Sequence, residues 1–180
     1  MRSSSDIPIY LAALGPKSTR VCGELADGWI PFLLPVTGLA DGIGVLDEGA
    51  RRADRARPLI CPSLPTAVAA SPAESLEIAS WWVVFYLVSM GPLYRETLHR
   101  LGFGAAVDEV LAANPTPRTF DVPAPARALL DELTVWGEPD RARATLDSWY
   151  AAGAQMPTLV LPPGRDVETL DHMLEALKPG

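Results

Sequence analysis

Cysteine is scarce in this chain of 180 residues: only Cys22 and Cys61 occur, which excludes a disulfide-stapled secreted fold. Histidine is equally scarce. His99 and His172 stand apart, each without a neighbouring Cys or His, so no structural zinc site is expected. Clustered positive charge is missing too. Lys+Arg is 15 against Asp+Glu 22, a net charge of -7, and Arg51, Arg52, Arg55 and Arg57 are diluted by Asp47, Glu48 and Asp54. Nucleic-acid binding needs a clustered basic face, so that partner class is set aside. The first residues hold no apolar stretch, so no signal peptide is expected. The longest uncharged stretch, 78 to 94, is broken by Ser80, Ser89, Gly91 and Pro92. A membrane span needs about 20 mostly apolar residues, so this stretch predicts a buried or interface helix and a cytoplasmic protein.

What the chain does have is 48% hydrophobic and 21% charged residues, the balance of a folded globular protein. Apolar runs of strand length lie at 7–13, 29–34, 59–69 and 158–161. Pro62 and Pro65 confine the third to irregular or terminal pairing. Amphipathic helices are predicted between them. One starts at Pro16 and stops at Asp27-Gly28, and one spans about 39–55, weakened by Gly42, Gly44 and Gly49. A third begins at Ser71-Pro72 with Ser71 as N-cap and Glu74 completing a capping box. Short helices follow at 94–101, 105–113 and 126–133, with a proline-rich loop at 114–125. Helices at 139–152 and 166–177 close the chain, the first ending at Gly153 and the second turning Val167, Leu170, Met173, Leu174 and Leu177 inward. Four apolar strands alternating with helices predict a parallel sheet covered by helices, with residues 71–125 a helical insertion. Four units are too few for a closed eight-stranded barrel.

Within that order, Pro8-Ile9-Tyr10-Leu11-Ala12-Ala13-Leu14-Gly15-Pro16-Lys17 and then Ala26-Asp27-Gly28-Trp29 resemble the fifth strand, following loop and sixth strand of luciferase-like monooxygenase-superfamily proteins. The segments 133–139 and 151–154 are similar to that family's seventh helix and its lead into the eighth strand. Among its groups the deazaflavin-dependent oxidoreductases, which use coenzyme F-420, match best. The resemblance implies an α/β chain with four strand-helix units, the C-terminal half of a (β/α)8 TIM barrel, forming a single partial-barrel domain over 1–180. It also implies an oxidoreductase function: hydride transfer or flavin-supported monooxygenation of a small organic substrate. The cofactor implied is coenzyme F-420, or FMN as the alternative. In the deazaflavin relatives the loop after the fifth strand wraps the cofactor phosphate. The matching positions are Ala13, Leu14, Gly15, Pro16 and Lys17, with Lys17 or Arg20 adding charge. The family's chemistry resides in the half this chain lacks, so no residue here is assigned a catalytic role, and no metal is expected.

Other candidates read as structural. The stretch from Gly42 to Gly49 is a poor dinucleotide fingerprint and reads as a loose surface helix. His99 and His172 read as solvated helix positions, and the cysteines as small buried hydrophobes. The aromatic run 81–86 covers more than one helix face, so it needs either a deep site in this chain or a second cover. An open half-barrel that left about ten inward side chains wet would forfeit on the order of 20 kcal/mol, against a typical net stability of about 5–15 kcal/mol. Self-association, pairing with a separately made first half, or curling up is therefore expected. A non-catalytic assembly or regulatory module is the alternative function.

Overall fold

The structure, a computed structural model, describes residues 7–116 and 119–178; the N-terminal stretch and Pro117 lie outside them. The strands are β1 (Tyr10–Leu11), β2 (Gly28–Trp29), β3 (Leu59–Ile60), β4 (Ser63–Val68), β5 (Val135–Gly137) and β6 (Thr158–Val160). The helices are α1 (Pro16–Leu25), α2 (Leu39–Arg52), α3 (Pro72–Ser89), α4 (Pro92–Arg100), α5 (Gly104–Ala113), α6 (Ala128–Leu133), α7 (Pro139–Ala151) and α8 (Val167–Ala176).

All strand pairs are parallel, in the orders β1-β2-β3 and β5-β4-β6. A bridge from Phe32 to Ser63 joins the two sets, so β3 and β4 act as one strand bent at Cys61-Pro62. The four apolar runs therefore take four consecutive places: β1, β2, β3–β4 and β6. β5 is an addition: it lies within the segment 133–139, which the resemblance assigns to the family's seventh helix. Pro65 sits inside the central strand without breaking it. Odd-numbered amides of β4 face β2 first and β5 later, since Ser63 donates to Pro31 and Ala69 to Gly137. Pro65, which has no N–H, falls where β2 has ended and β5 has not begun.

Helices cover both faces. Trp29 packs its ring on Gly42 of α2. Ile30 and Phe32 alternate to the opposite face, where Phe32 meets Trp82, Tyr86 and Tyr94 of α3 and α4. The aromatic run finds its cover within the chain. Trp82, Val83, Val84 and Leu87 are buried, with α3 between β4–β5 and α5–α6. No single helix is long and apolar enough to cross a membrane among the described residues; α3 and α4 pass such a test only as a pair bent by 106°. The bend uses Gly91 at φ +80. Arg95 holds it by donating to the carbonyls of Leu87 and Val88, which end α3.

Three local expectations need correction. Ser71 makes no side-chain cap and Glu74 turns instead to Arg165 at 3.6 Å, so the capping box does not form; Pro72 alone sets the first turn. Helix α2 is not loose: Gly49 and Gly23 lie backbone to backbone where α1 crosses it. Of the five apolar positions on α8, Met173 and Leu177 are buried, but Val167 and Leu174 are exposed at 73% and 42%.

The proline-rich loop is fastened by Asn114, which is 3% exposed. Its Nδ2 donates to the carbonyls of Val110 and Asp121, and its Oδ1 accepts from the Asp121 amide. Asn114→Ala strands these partners in a dry setting. It is expected to cost about 2 kcal/mol in urea unfolding, whereas an unchanged midpoint would show that the clip carries no stability.

Candidate functional site

The loop from β1 into α1 is built by three carbonyls that turn inward. Ala13 O accepts from Trp29 Nε1 at 2.9 Å, and Leu14 O from Arg100 Nη2 at 3.1 Å. Gly15 O accepts from the Thr19 amide and from Ser18 Oγ, both at 2.9 Å. A trans peptide points its N–H opposite to its C=O. The Leu14 and Gly15 amides therefore face away from Trp29 and Arg100. The Lys17 and Ser18 amides belong to the first helical turn, which has no intrahelical acceptor. None of these four amides meets an acceptor among the described residues. They stand at the positive end of α1, a helix of 10 residues.

Gly15 is extended, φ −83 and ψ 150, so its conformation does not demand glycine. A Cβ there would meet only Ser18 Oγ at 3.6 Å. Pro16 takes the first helical position, as its fixed φ favours. Ala13 is buried, Leu14 and Gly15 are half-buried, and Pro16 and Lys17 are exposed. The structure thus brings all five sequence-selected positions into one turn. Arg20 is not beside them in function: it is half-buried and paired with Glu48 at 3.0 Å. That hydrogen bond, with Arg52 and Arg51 nearby, holds the Glu48 carboxyl below the usual range. Lys17 forms no ion pair among the described residues.

Under the loop lies a cavity of about 90 Å³ lined by Leu14, Thr19, Trp29, Asp41, Arg100 and Leu101. It is far smaller than the roughly 300–1,000 Å³ a drug-sized ligand occupies. A larger cavity of about 380 Å³ lies beyond the end of β4, between Val68, Glu74, Pro139, Thr169 and His172. His99 does have a polar neighbour, Asp108 at 3.4 Å, which its own helix does not reveal. Both cysteines are buried, and burial pushes the Cys22 thiol up to about 11. No group of three or more His, Cys, Asp or Glu able to hold a metal occurs among the described residues.

Sequence reasoning missed two residues that shape the turn. Trp29 looked like one member of an apolar run, and Arg100 lies 86 positions from the carbonyl it binds. Nothing in the sequence pairs them with the loop.

The sequence matches the luciferase-like monooxygenase family over residues 1–156. A Mycobacterium tuberculosis protein provisionally named a coenzyme F-420-dependent oxidoreductase is 27% identical over 164 residues, 84% of this chain and 46% of that one. The 5,10-methylenetetrahydromethanopterin reductase of Methanopyrus kandleri is 26% identical, over 91% of this chain and 47% of its own. Among solved structures, the coenzyme F-420-dependent tetrahydromethanopterin reductase of Methanopyrus kandleri superposes with TM-score 0.69 at 20% identity, over 94% of this chain and 49% of that one. The oxygenating constituent of 3,6-diketocamphane monooxygenase from Pseudomonas putida, in complex with FMN, gives TM-score 0.58 at 18% identity, over 93% and 46%. The chain spans about half the length of the curated relatives it matches. Its fold corresponds to half of their barrel.

Proposed function

The chain belongs to the luciferase-like monooxygenase family, and we propose that its β1–α1 turn binds the phosphate of a deazaflavin or flavin cofactor. Coenzyme F-420 is the first choice and FMN the alternative. The complete oxidoreductase, performing hydride transfer or monooxygenation on a small organic substrate, then needs further strands to close the barrel. The carrying observation is the turn itself. Three carbonyls are tied back, four amides meet no acceptor among the described residues, and Lys17 stands beside them at the positive end of α1. Such a set suits a phosphate dianion. When bound, the cofactor supplies the redox chemistry. Ala13, Leu14, Gly15, Pro16 and Lys17 hold and orient its anionic end, and Arg100 fixes the Leu14–Gly15 peptide that presents an amide to it.

Titration of the purified chain with coenzyme F-420 and with FMN, followed by fluorescence, tests this reading. Saturable binding is expected, weakened roughly tenfold in Lys17→Ala by loss of a charge-assisted contact. Gly15→Ala should also weaken it, since its Cβ would face the ligand, while thermal stability stays within about 0.5 kcal/mol. Absence of binding to either cofactor refutes the proposal.

A further inference from the structure

Helix α3 carries Glu74, Glu77, Ile78 and Trp81 at i, i+3, i+4 and i+7, one stripe along its surface. The turn that follows β6, Pro162-Pro163-Gly164-Arg165, lies against that stripe, and Phe120 of the proline-rich loop brings its ring centroid to 6.3 Å from that of Trp81. Between them is a cavity of about 150 Å³. Its apolar side is Trp81, Phe120, Pro162 and Pro163, and its charged side is Glu77 and Arg165. An apolar cavity of about that volume holds one benzene ring. It opens at the carboxyl end of β6, the end of a parallel sheet at which ligands are bound. Arg165 is half-buried there and makes no hydrogen bond among the described residues. Its Nη1 lies 3.6 Å from Glu74 Oε1, beyond bonding distance. Every other arginine ion pair among the described residues closes to 3.0 Å or less. Glu77 is exposed and forms no ion pair among the described residues.

We propose that this cavity takes a free aromatic amino acid, its ring against Trp81 and Phe120, its carboxylate on Arg165 and its ammonium on Glu77. A guanidinium with unused N–H groups matches a carboxylate through two parallel hydrogen bonds. Glu74 and Glu77 outnumber Arg165, so a ligand bearing only a carboxylate meets net repulsion. A ligand bearing only an amine leaves Arg165 unused. A zwitterion answers both signs, and an α-amino acid holds its two charged groups on one carbon, as Arg165 and Glu77 border one small cavity. The ring then meets the apolar side, where aromatic pairs gain beyond their buried area. Glu74 borders the larger cavity and Arg165 the smaller, so their loose pair stands between the two and yields to the ligand without breaking a hydrogen bond. The inference stands apart from the cofactor reading, because none of these residues belongs to the β1–α1 turn.

Calorimetric titration of the full chain, without cofactor, tests it with four probes. Phenylalanine carries all three features. 3-Phenylpropionate lacks the ammonium, phenethylamine lacks the carboxylate and alanine lacks the ring. Phenylalanine is expected to bind saturably and roughly tenfold or more tighter than each of the others, since each omission removes one charged or apolar contact. Arg165→Gln should abolish its advantage over phenethylamine, and Glu77→Gln its advantage over 3-phenylpropionate. Both side chains reach solvent, so neither change disturbs the fold, and an unaltered Tm confirms that in each variant. No saturable heat with phenylalanine overturns the inference. So does equal binding of any one of the three partial probes, because the feature it lacks would then have no receptor. Phenylalanine binding that is unchanged in both variants also overturns it, because the ligand would then sit elsewhere.

Discussion

Gly49→Ala is expected to destabilise the protein by about 2–3 kcal/mol, roughly 5–10 °C in Tm. An alanine Cβ at Gly49 would lie 2.1 Å from the Arg20 carbonyl oxygen, and at the partner position Gly23 a Cβ would lie 2.2 Å from Leu46 O. All the crowded atoms are backbone, so no rotamer change relieves them; the two helices must part. The higher helix propensity of alanine offsets only about 1 kcal/mol of that. Gly44, in the same helix, has nothing within 4 Å of its would-be Cβ. Gly44→Ala should therefore stabilise by about 0.5–1 kcal/mol. Opposite signs from one substitution in one helix separate packing from propensity. Equal signs in thermal unfolding would refute the tight crossing. Separation of α1 from α2 also shifts the turn at Gly15, so cofactor affinity should fall with Gly49→Ala and not with Gly44→Ala.

That pair of glycines shows where a sequence stops speaking. Gly42, Gly44 and Gly49 look alike on the page, and propensity counts each as a weakness in α2. Two of them are contact points: Gly42 takes the Trp29 ring and Gly49 takes the α1 backbone. Only the partner element distinguishes them. The parallel α/β order was legible because each strand is a continuous apolar run between helix signals. Strand length was not. The run at 7–13 pairs over only Tyr10–Leu11, because a ladder is set by its neighbour and β1 has one. β5 escaped because Val135-Trp136-Gly137 is three residues long and follows directly on a helix. The turn was legible through Gly15-Pro16, whose local chemistry ends one element and starts another. Its supports were not, since Trp29 and Arg100 reach it through space.

Trp29→Phe should lower stability by about 2–4 kcal/mol and loosen the turn at the same time. Trp29 is 1% exposed, its ring fills the space above Gly42, and among the described residues its Nε1 is the sole donor to Ala13 O. Phenylalanine leaves part of that space empty and strands a buried carbonyl. With Ala13 O released, the Ala13–Leu14 peptide is free to rotate, and the Leu14 amide no longer holds its outward direction. Arg100→Ala supplies the contrast. Arg100 is exposed, so losing its bond to Leu14 O should cost under about 1 kcal/mol, yet the next peptide carries the Gly15 amide. If the amides are what hold an anion, the two variants weaken cofactor binding together while differing sharply in Tm. If Trp29→Phe lost stability but kept full affinity, the inward carbonyls would be serving the fold alone, and the amides opposite them would be solvated rather than functional.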